Sequence, residues 1–129
     1  MLLVRRVVRV ERDGGEAEAL FEDGDLFAAA GGLVDEAVHF ELIAQTFAAC
    51  TAVWKVRTGG SGGPEAGFLA SLRSLEVHGP ARTGEILTVS AGAAGQVEDF
   101  FVVDGEVRQG DRCVATGQVT IFVPGGASS

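Results

Sequence analysis

The stretch DEAVHFELIAQTFAACTAVWKVR, residues 35–57, decides how this chain folds. It contains no Gly or Pro, and helix formers dominate it. Asp35 and Glu36 favour the start of a helix and Lys55 and Arg57 its end, because the backbone dipole is positive at the first turn and negative at the last. One long helix is predicted. At about 100° per residue, Val34, Ala37, Val38, Glu41, Ala44, Gln45, Ala48 and Ala52 fall on one side of it. His39, Ile43, Thr46, Cys50, Val53 and Trp54 fall on the other. Both sides are substantially apolar, so the helix is expected to be buried by a wrapping sheet or by a partner. A membrane span is not expected, because Asp35, Glu36, His39, Glu41 and Gln45 interrupt the first half of the run.

Working outward, the flanks read as strands. Met1 to Arg12 ends in the alternation Val8, Arg9, Val10, Glu11. Asp13-Gly14-Gly15 then supplies a turn toward a short strand from Glu16 to Phe21. Glu22 to Leu33, with Asp-Gly and Gly-Gly pairs around an Ala run, reads as an irregular loop. After the helix, Thr58 to Gly67 carries five glycines and Pro64 and breaks it. Four strands follow: Phe68 to His78, Glu85 to Ala94, Val97 to Arg108 and Arg112 to Val123, the last two pairing across Gln109-Gly110-Asp111. Gly105 predicts a bulge or bend in the third of these. Two strands, one helix and four strands make an α+β chain. A single antiparallel sheet curled around one central helix is the economical arrangement.

The 129 residues, 47% of them apolar, fit a single domain spanning 1–129. A net charge of −8 argues against nucleic acid and anionic membranes as partners, since both require a cationic surface. Arg5, Arg6, Arg9 and Arg12 crowd the N-terminus and read as solvated strand faces. Cys50 and Cys113 lie in apolar runs with no metal-ligand spacing, which is the pattern of reduced core cysteines. Arginines placed through the first apolar stretch deny it the uninterrupted core of a secretory signal, so a cytoplasmic protein is expected. Neither metal nor cofactor is implied: Glu41, His39 and His78 lack a ligand spacing such as paired histidines one helical turn apart.

Glu41 is the leading candidate for chemistry. A carboxylate on a buried helix loses hydration, which favours its protonated form and suits it to proton transfer near neutral pH. Gln45 sits one turn later on the same face, within reach of the acid, a bound carbonyl or a water. A structural acid satisfied by the backbone or by Gln45 fits the periodicity equally well. His39 is turned about 160° from Glu41 on the helix and reads as a packing residue. His78 ends a predicted strand and reaches a site only through tertiary or dimer contact.

The segment His39-Phe40-Glu41-Leu42-Ile43-Ala44-Gln45, with Phe68-Leu69-Ala70 after the glycine-rich break and Pro80 to Gly84 before the next strand, resembles the 3-hydroxyacyl carrier-protein dehydratases. Leu2-Leu3-Val4-Arg5-Arg6-Val7 is similar to that family's opening strand, so the resemblance extends over most of the chain. It implies a hotdog fold, a pair of subunits, and an acyl chain entering a tunnel at their interface on an acyl carrier protein or coenzyme A. Glu41 maps onto the catalytic acid, with Gln45 beside it. Backbone amides near Glu36 and Ala37 would polarise the thioester carbonyl. Phe68, Leu69 and His78 would line the substrate.

The chain departs from the family at one place. Such dehydratases carry a His-Phe-Pro-Gly stretch ahead of the helix, and counting back from Glu41 reaches Phe27 in Asp25-Leu26-Phe27-Ala28. The expected histidine is absent, as in a divergent branch that resembles dehydratase-like proteins of aryl-polyene and related polyketide clusters. Three readings follow: a dehydratase-like enzyme whose second group comes from elsewhere or from a partner subunit, a thioesterase in which Glu41 activates water, and a noncatalytic hotdog partner subunit. A homodimer or a hotdog heteromer is expected.

Overall fold

A computed structural model of the chain describes residues 3–29, 31–59 and 69–122. The element order is β1 (Arg6–Glu11), β2 (Gly14–Ala19), β3 (Ala28–Ala29), β4 (Leu33–Val34), α1 (Val38–Arg57), β5 (Leu69–Val77), β6 (Leu87–Val97), β7 (Phe100–Gln109) and β8 (Arg112–Phe122). Six strands form one sheet in the order β1-β2-β6-β7-β8-β5, every neighbouring pair antiparallel. The predicted α+β architecture, one antiparallel sheet around a long helix, is the hotdog fold.

Alternation along the strands builds the core. Ala17 and Ala19 of β2, Leu87, Val89 and Ala91 of β6, and Val119 and Ile121 of β8 are buried on the helix side. Glu16, Glu18, Ser90, Asp104, Thr116 and Gln118 take the other face, as a period of two requires. The buried residues of α1 are Val38, His39, Leu42, Ile43, Ala44, Thr46, Phe47 and Cys50, a band built on spacings of three and four residues. Burying Leu42 and Ile43 contributes about 1.5–3 kcal/mol each.

Three expectations change. Gly105 lies in regular register, paired with Ala91 and Gly117, while the irregularities fall between Ala93 and Gly95 and between Val107 and Arg108. The reason for Gly105 is close approach: a Cβ there would sit 2.5 Å from Ile43 Cγ1 and Cγ2. Gly14 and Gly15 belong to β2 instead of the turn, which is Arg12-Asp13, and a Cβ on Gly15 would lie 2.7 Å from Cys50 Sγ. Glu98 and Asp99 form the β6–β7 turn, which has no glycine to announce it; Glu98 takes φ 55 there.

The loop before the helix is more ordered than its composition suggests. It holds the two-residue pair β3–β4 and is sewn to residues 81–84 by Val34 N–H to Ala81 O at 2.8 Å, Thr83 N–H to Gly32 O at 3.0 Å and Gly84 N–H to Phe21 O at 2.7 Å. The buried Gln109 ties that connection to the sheet. Its Oε1 accepts from Arg82 N at 2.9 Å and Arg112 Nη2 at 3.1 Å, and its Nε2 donates to Arg82 O at 2.9 Å and Glu85 O at 3.1 Å. With all its polar atoms satisfied, Gln109 fixes the loop that leads into α1.

Candidate functional site

Helix α1 begins at Val38, three residues later than predicted. Asp35 Oδ1 accepts the Ala37 N–H at 3.0 Å, and the next amides close short i to i+3 bonds, Val38 N–H to Asp35 O at 3.1 Å and His39 N–H to Glu36 O at 3.2 Å. A carboxylate bonding the backbone two residues on is the usual behaviour of Asp at a turn, and the sequence signal was Asp35 itself. Of the two positions assigned to a thioester carbonyl, Ala37 therefore spends its amide on Asp35. Glu36 and Ala37 are both exposed at the helix start.

Glu41 lies in the first turn of α1 and is exposed, in contrast to the burial expected of it. The sheet covers the His39 side of the helix, and burial reaches round to Val38 and Ala44 but stops short of Glu41. Of the residues on the Glu41 side, Val38 and Ala44 are buried in the core, Gln45, Ala48 and Ala52 are half-buried, and Ala37 and Glu41 are exposed. Desolvation of Glu41 would have to come from another molecule.

Gln45, one turn beyond Glu41, faces the same side. Its Oε1 accepts the Leu3 N–H at 2.6 Å and the Val4 N–H at 3.3 Å. The amide oxygen assigned to catalysis thus also holds the segment preceding β1.

Neither histidine joins Glu41. His39 is 1% exposed on the sheet side of α1 and its Nδ1 has no partner among the described residues. Burial pushes its pKa down, opposed by the charge of Glu36. His78 follows β5 and is exposed, with Nε2 3.0 Å from Thr116 Oγ1 on the side of the sheet away from the helix. Those are the two histidines of the chain.

Phe27 fills the position of the expected histidine. Its ring packs edge-on against Phe21, centroids 6.4 Å apart, and its carbonyl accepts the Asp35 N–H at 2.7 Å. The loop is held by an aromatic contact instead of presenting a proton-transfer group. Phe68 lies outside the described residues. Leu69 opens β5 and pairs with Phe122.

Burial pushes both cysteine thiols up, Cys50 with Sγ 3.7 Å from Arg9 O and Cys113 with Sγ 3.7 Å from Ala115 O. A thiol held protonated is a poor nucleophile. Among the described residues no three His, Cys, Asp or Glu side chains gather as a metal site, and no helix is long and apolar enough to cross a membrane.

One antiparallel sheet wrapped on a long central helix defines a hotdog-fold protein. The chain belongs to the ApeP-like family, ApeP dehydratase, whose model matches residues 1–129. Its fold is similar to the dehydratase heterocomplex ApeI:P from Xenorhabdus doucetiae, at 18% identity and a TM-score of 0.82, with 98% of this chain and 85% of that chain covered. It is also similar to smu.793 from Streptococcus mutans UA159 bound to acetyl CoA, at 19% identity and a TM-score of 0.67, covering 92% of this chain and 86% of that one. A hypothetical thioesterase protein with coenzyme A from Streptococcus pneumoniae TIGR4 matches at 12% identity and a TM-score of 0.69, covering 92% of this chain and 84% of that one. No curated protein sequence matches the chain.

Proposed function

We propose that this chain is the Glu41-bearing subunit of a hotdog dimer that acts on 3-hydroxyacyl thioesters, carried on an acyl carrier protein or coenzyme A, in fatty acid or polyketide metabolism. The observation that carries the reading is the isolation of Glu41 from the histidines: an exposed carboxylate in the first turn of α1, with His39 on the reverse of the helix, His78 behind the sheet and Phe27 in the loop. Dehydration takes a proton from C2 and returns one to the departing 3-hydroxyl, which leaves as water, so two positioned groups serve it best. Glu41 supplies one, and the second comes from a partner subunit that roofs the open helix face. Membership of a dehydratase family and the likeness to a dehydratase heterocomplex support this division.

The test is turnover of a 3-hydroxyacyl thioester by the purified chain alone and together with a hotdog subunit that carries a histidine in the loop before its helix. The chain alone is expected to dehydrate poorly and the mixed assembly well. Efficient dehydration by the chain alone would overturn the division of labour. The absence of any histidine beside Glu41 also favours a second reading, hydrolysis of the thioester by a water that Glu41 activates. Release of free thiol from the same substrates separates the two.

A further inference from the structure

Strand β1 pairs with β2 from Arg6 opposite Glu18, and Arg5 N–H still reaches Glu18 O at 2.7 Å. Leu3 and Val4 lie beyond the end of that ladder. Their amides turn to α1, where the single oxygen Gln45 Oε1 accepts both. Val4 is 7% exposed and Leu3 packs against the core cluster, so the segment is seated along the helix. Buried or half-buried N–H groups without an acceptor cost about 1–3 kcal/mol each, which is why a side-chain oxygen is needed at this place. Gln45 follows Glu41 by one turn, a rise of about 6 Å, and by helical rotation the two share a face with the half-buried Ala48 and Ala52.

We propose that Gln45 is a positioning residue: it clamps the Leu3–Val4 segment as one flank of the Glu41 face, and that flank selects the acyl chains that fit beside Glu41. The inference rests on Glu41 acting on an acyl thioester. Gln45 acts through its oxygen as an acceptor from the backbone, and Leu3 supplies the bulk that an acyl chain lying beside Glu41 meets.

The experiment uses the full chain assembled with the histidine-bearing hotdog subunit of the turnover test, and two readouts: amide hydrogen exchange at Leu3 and Val4, and affinity for unreactive acyl-pantetheine thioethers of increasing chain length. In Gln45→Ala both amides exchange about tenfold faster or more while amides of β6 to β8 keep their protection, and the chain-length preference flattens. Gln45→Glu keeps acceptor oxygens while removing the amide donor, and restores both protection and preference. Leu3→Ala leaves the Val4 amide protected and shifts preference toward longer chains. Unchanged exchange in Gln45→Ala overturns the clamp. Faster exchange with an unaltered preference in Gln45→Ala and Leu3→Ala overturns the selecting flank, and loss of preference in Gln45→Glu overturns the acceptor role; in these cases the proposed function stands. A wild type that binds no thioether of any length takes down the proposed function and this inference together.

Discussion

Glu41 and His39 stand two residues apart on α1 and lie on opposite sides of it, the carboxylate exposed and the imidazole buried against the sheet. Two positions of a helix separated by about 160° cannot converge on one substrate atom. The histidine nearest to Glu41 in sequence is thereby a packing residue, and the chemistry proposed for Glu41 has to proceed without it.

Glu41→Gln keeps the shape of the side chain and removes its titrating proton. Turnover of an active thioester is expected to fall by about a hundredfold or more, with folding and assembly intact because the residue is exposed. His39→Gln is expected to leave turnover per folded molecule nearly unchanged. Full activity in Glu41→Gln, measured in a preparation whose assembly state matches the wild type, would remove Glu41 from the mechanism.

The His39 environment gives stability a pH dependence. Burial lowers its folded pKa below the ordinary value of about 6.5, so on acidification the unfolded chain takes up a proton that the folded chain refuses. Its contribution is complete above about pH 6.5 and is lost as pH falls below that value toward the folded pKa. Urea midpoints between about pH 7 and pH 5 should fall in the wild type and fall less steeply in His39→Leu. Parallel curves for the two proteins would show that His39 does not carry this dependence.

Thr46 lies two turns beyond His39 on the same buried stripe, 0% exposed, and its Oγ1 has no hydrogen-bond partner among the described residues. Thr46→Val keeps the branched shape and removes a hydroxyl that lost its hydration on folding. A gain of about 1 kcal/mol is expected in equilibrium unfolding. A loss of similar size would mean that the hydroxyl is satisfied in solution.

Gly105 and Gly117 pair across β7 and β8 and leave a dimple that Ile43 occupies. Gly105→Ala places a methyl group 2.5 Å from two Ile43 carbons, an overpacking expected to cost about 1–3 kcal/mol. Combined with Ile43→Ala the same change should cost less than it does alone, because the colliding atoms are gone. Strict additivity in a double-mutant cycle would place the effect of Gly105 in its backbone instead.

Much of the fold was legible because its signals are local. The helix showed as an uninterrupted run of helix formers with acids at one end and bases at the other, and the strands as apolar alternation cut by Gly-rich turns. The candidate acid showed because a carboxylate among alanines and leucines is conspicuous on a helical wheel. Turn chemistry was less legible: Glu98-Asp99 carries no glycine, and Gly14-Gly15 resembles a turn while serving the close passage of Cys50.

The sequence by itself determined the order of the six long strands and the helix, and the opposed directions of Glu41 and His39, since each follows from backbone periods of two and 3.6 residues; the short β3–β4 pair it did not announce. Only the tertiary structure decided which side of the helix the sheet covers. A helix apolar on both faces has no preferred side in its own sequence; the choice falls where Gly105 and Gly117 admit Ile43 and Gly15 admits Cys50. That choice buries His39 and exposes Glu41. The same docking carries Gln45 to Leu3 and Val4, contacts separated by 42 and 41 residues, which no local pattern encodes because the amides of a ladder's end take whatever acceptor the packed helix presents.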